Sequence, residues 1–258
     1  MENPSVDRQF ADPRLAALYD RLHPLSPVIR DFYLPPMLAA PAVLDVGCGT
    51  GALLKAARAA GHRGRLCGLD PAPAMLAVAR ARADVEWTEG DAASMRFERE
   101  FDLAVMSGHA FQALRTDAAI GAALAALRRA LKPTGRLIFD TRNPGARAWE
   151  RWTPEHAVEL RDADGTRVRV TLEVVAPFDG RRVVFLETYS GPHWSEPLAS
   201  RCELRFCDAR ELGEFLGQAG FLIEAQFGDF DRSALAPASP EILTLARLTA
   251  QAGSRPPG

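Results

Sequence analysis

The 258-residue chain has few cysteines and little net charge. Its cysteines, Cys48, Cys67, Cys202 and Cys207, have spacings that suit neither a local disulfide nor a metal chelate. A reducing compartment is therefore expected. A formal net charge of −2 provides no global positive field that would attract nucleic acid or an anionic membrane.

Long apolar runs and targeting signals are also lacking. No apolar segment is long enough to cross a bilayer. The first residues, MENPSVDR, lack the basic and apolar regions of a signal peptide. We therefore predict a soluble, cytoplasmic protein that binds neither membrane nor nucleic acid.

The most informative feature present is a glycine-rich turn after a short apolar segment. Residues 43–51 read VLDVGCGTG, with glycine at every second position from 47. Glycine adopts positive φ and has no Cβ, so this backbone can turn sharply and lie against a ligand. Residues 52–58 then have a helical composition. A strand, a glycine turn and a helix are typical of the first βα unit of a doubly wound sheet, which binds nucleotide-like ligands at its strand ends.

Acidic residues end the first three predicted strands. Asp45 lies two residues before the first glycine, where dinucleotide-binding folds usually have an apolar residue or glycine. Asp70 ends the second apolar run and can accept hydrogen bonds from ribose hydroxyls, and Asp91 ends the third. A structural interpretation stays open for each: a turn cap for Asp45, a helix N-cap for Asp70 and a loop acid for Asp91.

The alternation of strands and helices over 42–141 predicts a parallel sheet with helices on both faces. We place the strands near 42–46, 65–69, 85–88, 101–106 and 136–141. A helix over 117–130 precedes the last of these, and Lys132-Pro133-Thr134-Gly135 is predicted to break it and turn into the strand.

The pattern changes after residue 145. Residues 168–174 alternate apolar and polar side chains, and Asp-Gly pairs at 164–165 and 179–180 are hairpin signals. This predicts a small antiparallel sheet. The predicted organisation is a helical cap segment over 1–41, a cofactor-binding core over 42–144, an antiparallel β insertion over 145–207, completion of the core over 208–249 and a disordered tail over 250–258. We predict that the insertion is a substrate lid or a homodimer contact.

Five blocks of this sequence, in order, resemble class I S-adenosylmethionine-dependent methyltransferases. They are VLDVGCGTG at 43–51, CGLDPAPAML at 67–76, EGDAASM at 89–95, FDLAVMSGHAFQAL at 101–114 and LKPTGRLIFDTRNP at 131–144. The resemblance implies an α/β fold with a doubly wound, seven-stranded, mostly parallel Rossmann-like sheet whose last strand is antiparallel. It is greatest to the branch with an antiparallel insertion, which acts on small molecules.

The same resemblance implies that S-adenosylmethionine is the cofactor and S-adenosylhomocysteine the product. The glycine turn would approach the methionine part, and Asp70 would hold the ribose. The implied cofactor contacts are Tyr19, Asp45, Gly47, Cys48, Gly49, Gly51, Asp70, Pro71, Met75, Asp91, Ala92 and Ser107. Met75 could equally be a core residue.

Methyl transfer from this cofactor is an in-line displacement, so alignment of the reacting atoms is the main requirement. A general base is needed only for an acceptor that holds a proton. His109, two residues after Ser107, is the first candidate, because histidine accepts protons near neutral pH. It could instead orient the acceptor or bond to the backbone. The predicted acceptor-binding residues are His109, Phe111, Gln112, Arg142, Trp149 and Trp152, each of which also has a packing interpretation.

We therefore predict a methyltransferase that methylates nitrogen or oxygen of a small molecule. Residues 107–111, SGHAF, do not match the Asn/Asp-Pro-Pro-aromatic motif of amine methyltransferases that act on nucleic acids. No metal constellation is recognisable. Two alternatives remain: an NAD(P)-dependent oxidoreductase, because Gly47, Gly49 and Ala52 also fit the dinucleotide fingerprint, and a non-catalytic cofactor-binding protein with a regulatory or assembly role.

Overall fold

Two β-sheets organise the computed structural model, which describes residues 6–192 and 194–249. The predicted tail, 250–258, lies outside the described residues. The strands are β1 (Ala42–Val46), β2 (Arg65–Asp70), β3 (Glu86–Glu89), β4 (Phe101–Met106), β5 (Leu131–Arg142), β6 (Val158–Arg161), β7 (Arg167–Ala176), β8 (Arg182–Ser190), β9 (Leu198–Arg205), β10 (Phe221–Phe227) and β11 (Glu241–Leu248). The α-helices are α1 (Arg8–Ala11), α2 (Pro13–Ala16), α3 (Tyr19–Leu22), α4 (Pro27–Ala39), α5 (Ala52–Ala59), α6 (Pro73–Ala79), α7 (Asp117–Ala130) and α8 (Ala209–Gln218).

The larger sheet has the strand order β10-β11-β5-β4-β1-β2-β3. Strands β1 to β5 pair in parallel, whereas β11 is antiparallel to both β5 and β10. The prediction of a seven-stranded, mostly parallel sheet with an antiparallel last strand is confirmed. Every residue of β1 is buried, as expected for a strand that is covered on both faces.

The sheet differs from the prediction at the start of β5. The break predicted at Lys132-Pro133-Thr134-Gly135 lies inside the strand, which begins at Leu131. Leu131 pairs with Phe101, and pairing resumes between Arg136 and Leu103. The intervening residues therefore form an irregularity within the ladder, because β4 offers one residue where β5 has four.

The smaller sheet is the predicted antiparallel insertion, with the order β6-β7-β8-β9. The first of these strands was not predicted from the sequence, because β6 has only four residues and most of them are exposed. The inner face of β7 and β8 is buried. The residues that line this face are Val168, Val170, Val183, Phe185, Glu187 and Tyr189.

The N-terminal segment lies between the two sheets. Leu15 and Leu18 pack on the insertion, together with Val168, Val170 and Tyr189. Other members of the segment pack against the start of α6, in a cluster made of Ala16, Ala72, Ala74, Met75, Phe10 and Tyr19. The segment thus crosses the carboxyl ends of the core strands. No helix among the described residues is long and apolar enough to cross a membrane.

Candidate cofactor and acceptor site

The glycine turn after β1 requires glycine at more than one position. The φ angles of Gly47, Gly49 and Gly51 are 75°, 55° and 77°. A Cβ on Gly47 would lie 2.7 Å from the Cβ of Ala110, and one on Gly51 would lie 2.2 Å from Cη2 of Trp87. Both the positive φ and the close neighbours exclude other side chains, so the turn keeps an open backbone edge beside the strand ends.

Asp45, at the end of β1, is a buried carboxylate that lacks a full set of partners. It is 1% exposed, and no hydrogen-bond donor among the described residues reaches its Oδ1. Burial raises the pKa of Asp45 to about 8, and the charges of Asp70 and Asp140 contribute to the increase. Because an unpaired buried carboxylate is costly, the site suits a ligand that brings positive charge. A sulfonium nucleoside with an ammonium group meets that requirement.

Asp70, at the end of β2, joins the glycine turn to the loop that leads to α6. Its Oδ2 accepts a hydrogen bond from the Gly49 amide at 2.8 Å, and its Oδ1 accepts one from the Ala72 amide at 2.9 Å. The N-cap of α6 is Ala72, so the alternative interpretation of Asp70 as the helix N-cap does not apply. Its predicted contact with a ribose stays a prediction.

The remaining predicted cofactor residues surround this turn or follow β3 and β4. Met75 is buried, and its Cε would lie 3.2 Å from a Cβ on Gly49. Asp91 is exposed and its Oδ1 accepts hydrogen bonds from the amides of Ala93 and Ser94, each at 2.8 Å. Of the others, Cys48 and Ala92 are buried, whereas Tyr19, Pro71 and Ser107 are half-buried. Their cofactor contacts stay predictions.

His109 lies on the turn after β4 in a constrained backbone conformation. Its φ is 64°, a region that disfavours residues other than glycine, and such strain costs about 1–3 kcal/mol. The buried carboxylate of Asp140, on β5, supports the turn. Its Oδ2 accepts a hydrogen bond from the His109 amide at 2.7 Å, and its Oδ1 accepts hydrogen bonds from the Gly108 amide at 3.2 Å and the Tyr33 hydroxyl at 2.5 Å.

The imidazole of His109 contacts Glu241, a residue that sequence reasoning missed. Nε2 lies 3.0 Å from both carboxylate oxygens of Glu241. Burial, together with the positive charge of Arg142, lowers the pKa of His109 to about 3. Burial also raises the pKa of Glu241 to about 8, which Arg142 opposes. Burial thus acts against charge on either partner, and the ring is neutral at pH 7.

Glu241 was hard to find from the sequence, because it lies 132 residues after His109. The useful signal is the strand register: Glu241 pairs with Arg142 across β11 and β5. That register follows from the antiparallel last strand. It places the first residue of β11 beside the carboxyl end of β5, and so beside the turn that follows β4.

Three predicted acceptor-binding residues are brought together near His109. Nη1 of Arg142 donates a hydrogen bond to Oε1 of Gln112 at 3.0 Å, and the guanidinium lies 5.5 Å from the ring centroid of Trp152. The Gln112 amide donates in turn to the Arg205 carbonyl at 3.1 Å. Gln112 therefore connects this edge of the core to strand β9 of the insertion.

Phe111 and Trp149 lie in apolar clusters instead. Phe111 is stacked on Phe139 with ring centroids 4.6 Å apart, within the main core. Trp149 is stacked on Phe178 with ring centroids 4.5 Å apart, in a separate apolar cluster that includes Val183 of the insertion. Packing accounts for both side chains, and their predicted contacts with an acceptor stay predictions.

His109, Asp140 and Glu241 also meet the distance criterion for a metal centre, since one potential ligand atom from each lies within 4.8 Å of the others. Hydrogen bonds within the protein explain this cluster without an ion. Both oxygens of Asp140 accept hydrogen bonds, and Nε2 of His109 is paired with Glu241. The three side chains therefore have protein partners for the atoms that an ion would need.

The fold and the glycine turn define a class: α/β proteins that bind a nucleoside cofactor at the carboxyl ends of β1 and β2. Comparison with known proteins identifies the class more closely. Residues 43–135 match the family model described as a methyltransferase domain. The core of this chain is a class I S-adenosylmethionine-dependent methyltransferase domain.

Similar proteins support this assignment over different parts of the chain. The chain is 36% identical over 154 residues to a 2-phytyl-1,4-naphthoquinone methyltransferase of Thermosynechococcus vestitus; the match covers 54% of this chain and 66% of that protein. An S-adenosylmethionine-bound amino pentose methyltransferase of Micromonospora echinaspora has a TM-score of 0.63 at 26% identity, with coverage of 86% of this chain and 89% of that one. For the CcbJ methyltransferase of Streptomyces caelestis the TM-score is 0.75 at 18% identity, with 94% and 98% coverage, which shows a common fold.

Proposed function

We propose that this protein transfers the methyl group of S-adenosylmethionine to a nitrogen or oxygen atom of a small-molecule acceptor. The observation that carries the proposal is the shared edge of the sheet: the glycine turn with Asp45 and a neutral His109 both lie at the carboxyl ends of neighbouring parallel strands. A cofactor-binding turn and a proton acceptor thus adjoin each other.

On this proposal, the cofactor is held by residues after β1 and β2. The glycine turn adjoins its methionine part, the buried carboxylate of Asp45 compensates its positive charge, and Asp70 binds the ribose. When bound, S-adenosylmethionine supplies a methyl group on a positively charged sulfur that departs as a neutral thioether. The protein's main task is to align the acceptor with that methyl carbon and to exclude water.

His109 has the role of general base. With S-adenosylmethionine bound, an acceptor atom that carries a proton would release it as it is methylated, and His109 would receive it. The acceptor's proton passes to the imidazole, which is neutral because burial lowers its pKa. An acceptor that carries no proton at the reacting atom needs only alignment, and His109 then orients it.

The names of the similar proteins support a small-molecule acceptor, since they describe a naphthoquinone and an amino pentose methyltransferase. Arg142, Gln112 and Trp152 are proposed to line the acceptor side, because they adjoin His109 through Arg142. A cytoplasmic location and a homodimer contact through the insertion stay proposals that rest on composition and on the placement of the second sheet.

The experiment has two parts. Calorimetric titration with S-adenosylhomocysteine should show binding that Asp70→Ala weakens at least tenfold, whereas Asp84→Ala, a change at an exposed acid paired with Arg82, should leave it unaltered. Incubation with methyl-labelled S-adenosylmethionine and a metabolite extract should then yield a labelled small molecule. Lack of binding at millimolar ligand would contradict the cofactor assignment; binding without any labelled product would favour a non-catalytic role.

A further inference from the structure

We infer that Glu241 is a positioning residue for His109: its carboxylate accepts the Nε2–H of the neutral ring and so leaves Nδ1 as the nitrogen that receives the acceptor's proton. This inference rests on the proposed function, in which His109 is the base. Beyond that function, Nδ1 is identified as the basic atom and Glu241 as the residue that selects it.

The geometry of the contact favours one direction for the hydrogen bond. Nε2 of His109 is equidistant, at 3.0 Å, from Oε1 and Oε2 of Glu241. A single N–H pointing between two equivalent carboxylate oxygens gives that arrangement, whereas a protonated carboxyl group would donate through one oxygen only. The equal distances therefore indicate an ionised Glu241 that accepts from Nε2, with this N–H and the charge of Arg142 offsetting the burial that raises the pKa of the carboxyl group.

The other ring nitrogen, Nδ1, is not engaged by the described part of the protein. Among the described residues no hydrogen bond is made to Nδ1 of His109, and the side chain is 21% exposed. In a neutral imidazole one nitrogen carries the proton and the other a lone pair. If Nε2 carries the proton, Nδ1 is the basic atom.

Two different strands hold the pair in place. The His109 amide is bound by Asp140 of β5, while the first residue of β11, Glu241, donates its amide to the Gly228 carbonyl at 3.0 Å. The backbone of each partner is therefore fixed independently of the side-chain contact. A histidine held at both backbone and ring has little freedom to rotate away from the acceptor.

Of the charged groups that face the pair, Arg142 agrees with this direction, whereas Asp229 disfavours an ionised Glu241 and Asp140 disfavours a neutral His109. Asp140 and Arg142 approach from β5, His23 follows α3, and Asp229 lies in the loop after β10. The charge of Arg142 favours an ionised Glu241 and a neutral His109. Once Nδ1 accepts a proton, the ring becomes an imidazolium beside a carboxylate, which stabilises the charge that the reaction generates.

The first test reads the tautomer directly in the full chain. Long-range ¹H–¹⁵N spectra at pH 7 distinguish the two nitrogens of each of the five histidines, and His109→Gln identifies the signals of His109. We expect a protonated Nε2 and an unprotonated Nδ1, and loss of that preference in Glu241→Gln. Glu224→Gln, at an exposed glutamate of β10, is the matched control and should leave the signals unchanged.

The second test uses the labelled-methyl assay with an acceptor that carries a proton. Glu241→Gln should lower kcat by roughly 10- to 100-fold, as for other orienting partners of histidine, and shift the pH profile, with the Kd for S-adenosylhomocysteine within twofold of wild type. Glu241→Asp, which retains the carboxylate, should recover part of the loss.

Three outcomes would overturn the inference: a protonated Nδ1 in the wild type, a tautomer unaffected by Glu241→Gln, or a kcat and pH profile that the substitution does not change. The expected tautomer in a protein that binds the cofactor but methylates nothing would instead contradict the proposed function. The two failures are thus distinguishable, because the spectra need no acceptor.

Discussion

The two halves of the site are built differently. On the cofactor side, the glycine turn and its two acids lie within 45–70, in two adjacent strands that are consecutive in the chain. On the acceptor side, the residues come from the turn after β4 and from β5 and β11, and they span more than half of the sequence; they are His109, Asp140 and Glu241. The cofactor side is therefore visible as a local sequence motif, whereas the residues of the acceptor side meet only because of the order of the strands in the sheet.

Their electrostatics differ in the same way. Asp45 on the cofactor side has an oxygen without a partner among the described residues, whereas Asp140 and Glu241 on the acceptor side are hydrogen-bonded within the protein. A buried acid with a free oxygen and two acids that are hydrogen-bonded around His109 therefore lie at one edge of the sheet. Substitutions on the two sides should separate binding from turnover.

The largest expected effect is on the cofactor side. Gly51→Ala places a Cβ 2.2 Å from the Trp87 ring at a φ of 77°, so the turn must rearrange. We expect cofactor binding to fall at least 100-fold and stability to fall by about 1–3 kcal/mol. Calorimetry measures the cofactor affinity, and denaturant unfolding measures the stability. Gly121→Ala, in α7 with open space around it, should instead raise stability by up to about 1 kcal/mol; equal behaviour of the two variants would refute the turn geometry.

The next largest effect is expected on the acceptor side, at His109. His109→Gln should lower kcat by about 10²- to 10⁴-fold, the usual range for a general base, with cofactor affinity within twofold. The labelled-methyl assay and calorimetry measure the two quantities. His156→Gln, at an exposed histidine outside the core, is the control. Undiminished turnover in His109→Gln would remove His109 from the mechanism.

The pH dependence of stability tests the charge of Asp45. Burial raises its pKa from 3.8 to about 8, so the folded state holds this proton more tightly than the unfolded state does. Its favourable contribution is complete below pH 4 and is lost as the pH rises through about 8. The cofactor-free protein should lose stability over this interval, and Asp45→Asn should lose less. Thermal unfolding from pH 4 to 8 checks this; parallel curves would show that Asp45 does not titrate there.

The smallest effect concerns the N-terminal segment over the cofactor side. Thr50, next to Gly51, donates its hydroxyl to Asp20 at 2.5 Å. Asp20→Asn should cost no more than about 0.5–1.5 kcal/mol and should speed amide hydrogen exchange in α2 and α3. Asp31→Asn, at an exposed acid of α4, is the control. Unchanged exchange in Asp20→Asn would show that packing alone holds the segment.

Much of the fold was predictable, since apolar periodicity located the core strands and α7 from Asp117 to Ala130. Strand β6 was missed because it is only four residues long and mostly exposed. The turn predicted at Lys132–Gly135 proved to be part of β5, because pairing with β4 tolerates three extra residues there. Local propensity does not contain that information.

The acceptor side of the candidate site was less predictable than the fold. Burial of Phe111 and of Trp149 follows from stacking on distant aromatic rings, which a single sequence does not reveal. Gln112 is hydrogen-bonded to both Arg142 and the Arg205 carbonyl, and these contacts depend on how the insertion lies against the core. No recognisable sequence motif surrounds Glu241.

The sequence by itself determined the cofactor half of this protein, because a strand, a glycine turn and a terminal acid are contiguous and their backbone demands are local. Only the tertiary structure decided the acceptor half. An antiparallel last strand brings Glu241 to His109, and burial sets the charge of both groups. Register and desolvation arise from packing between distant segments, so no local pattern encodes them.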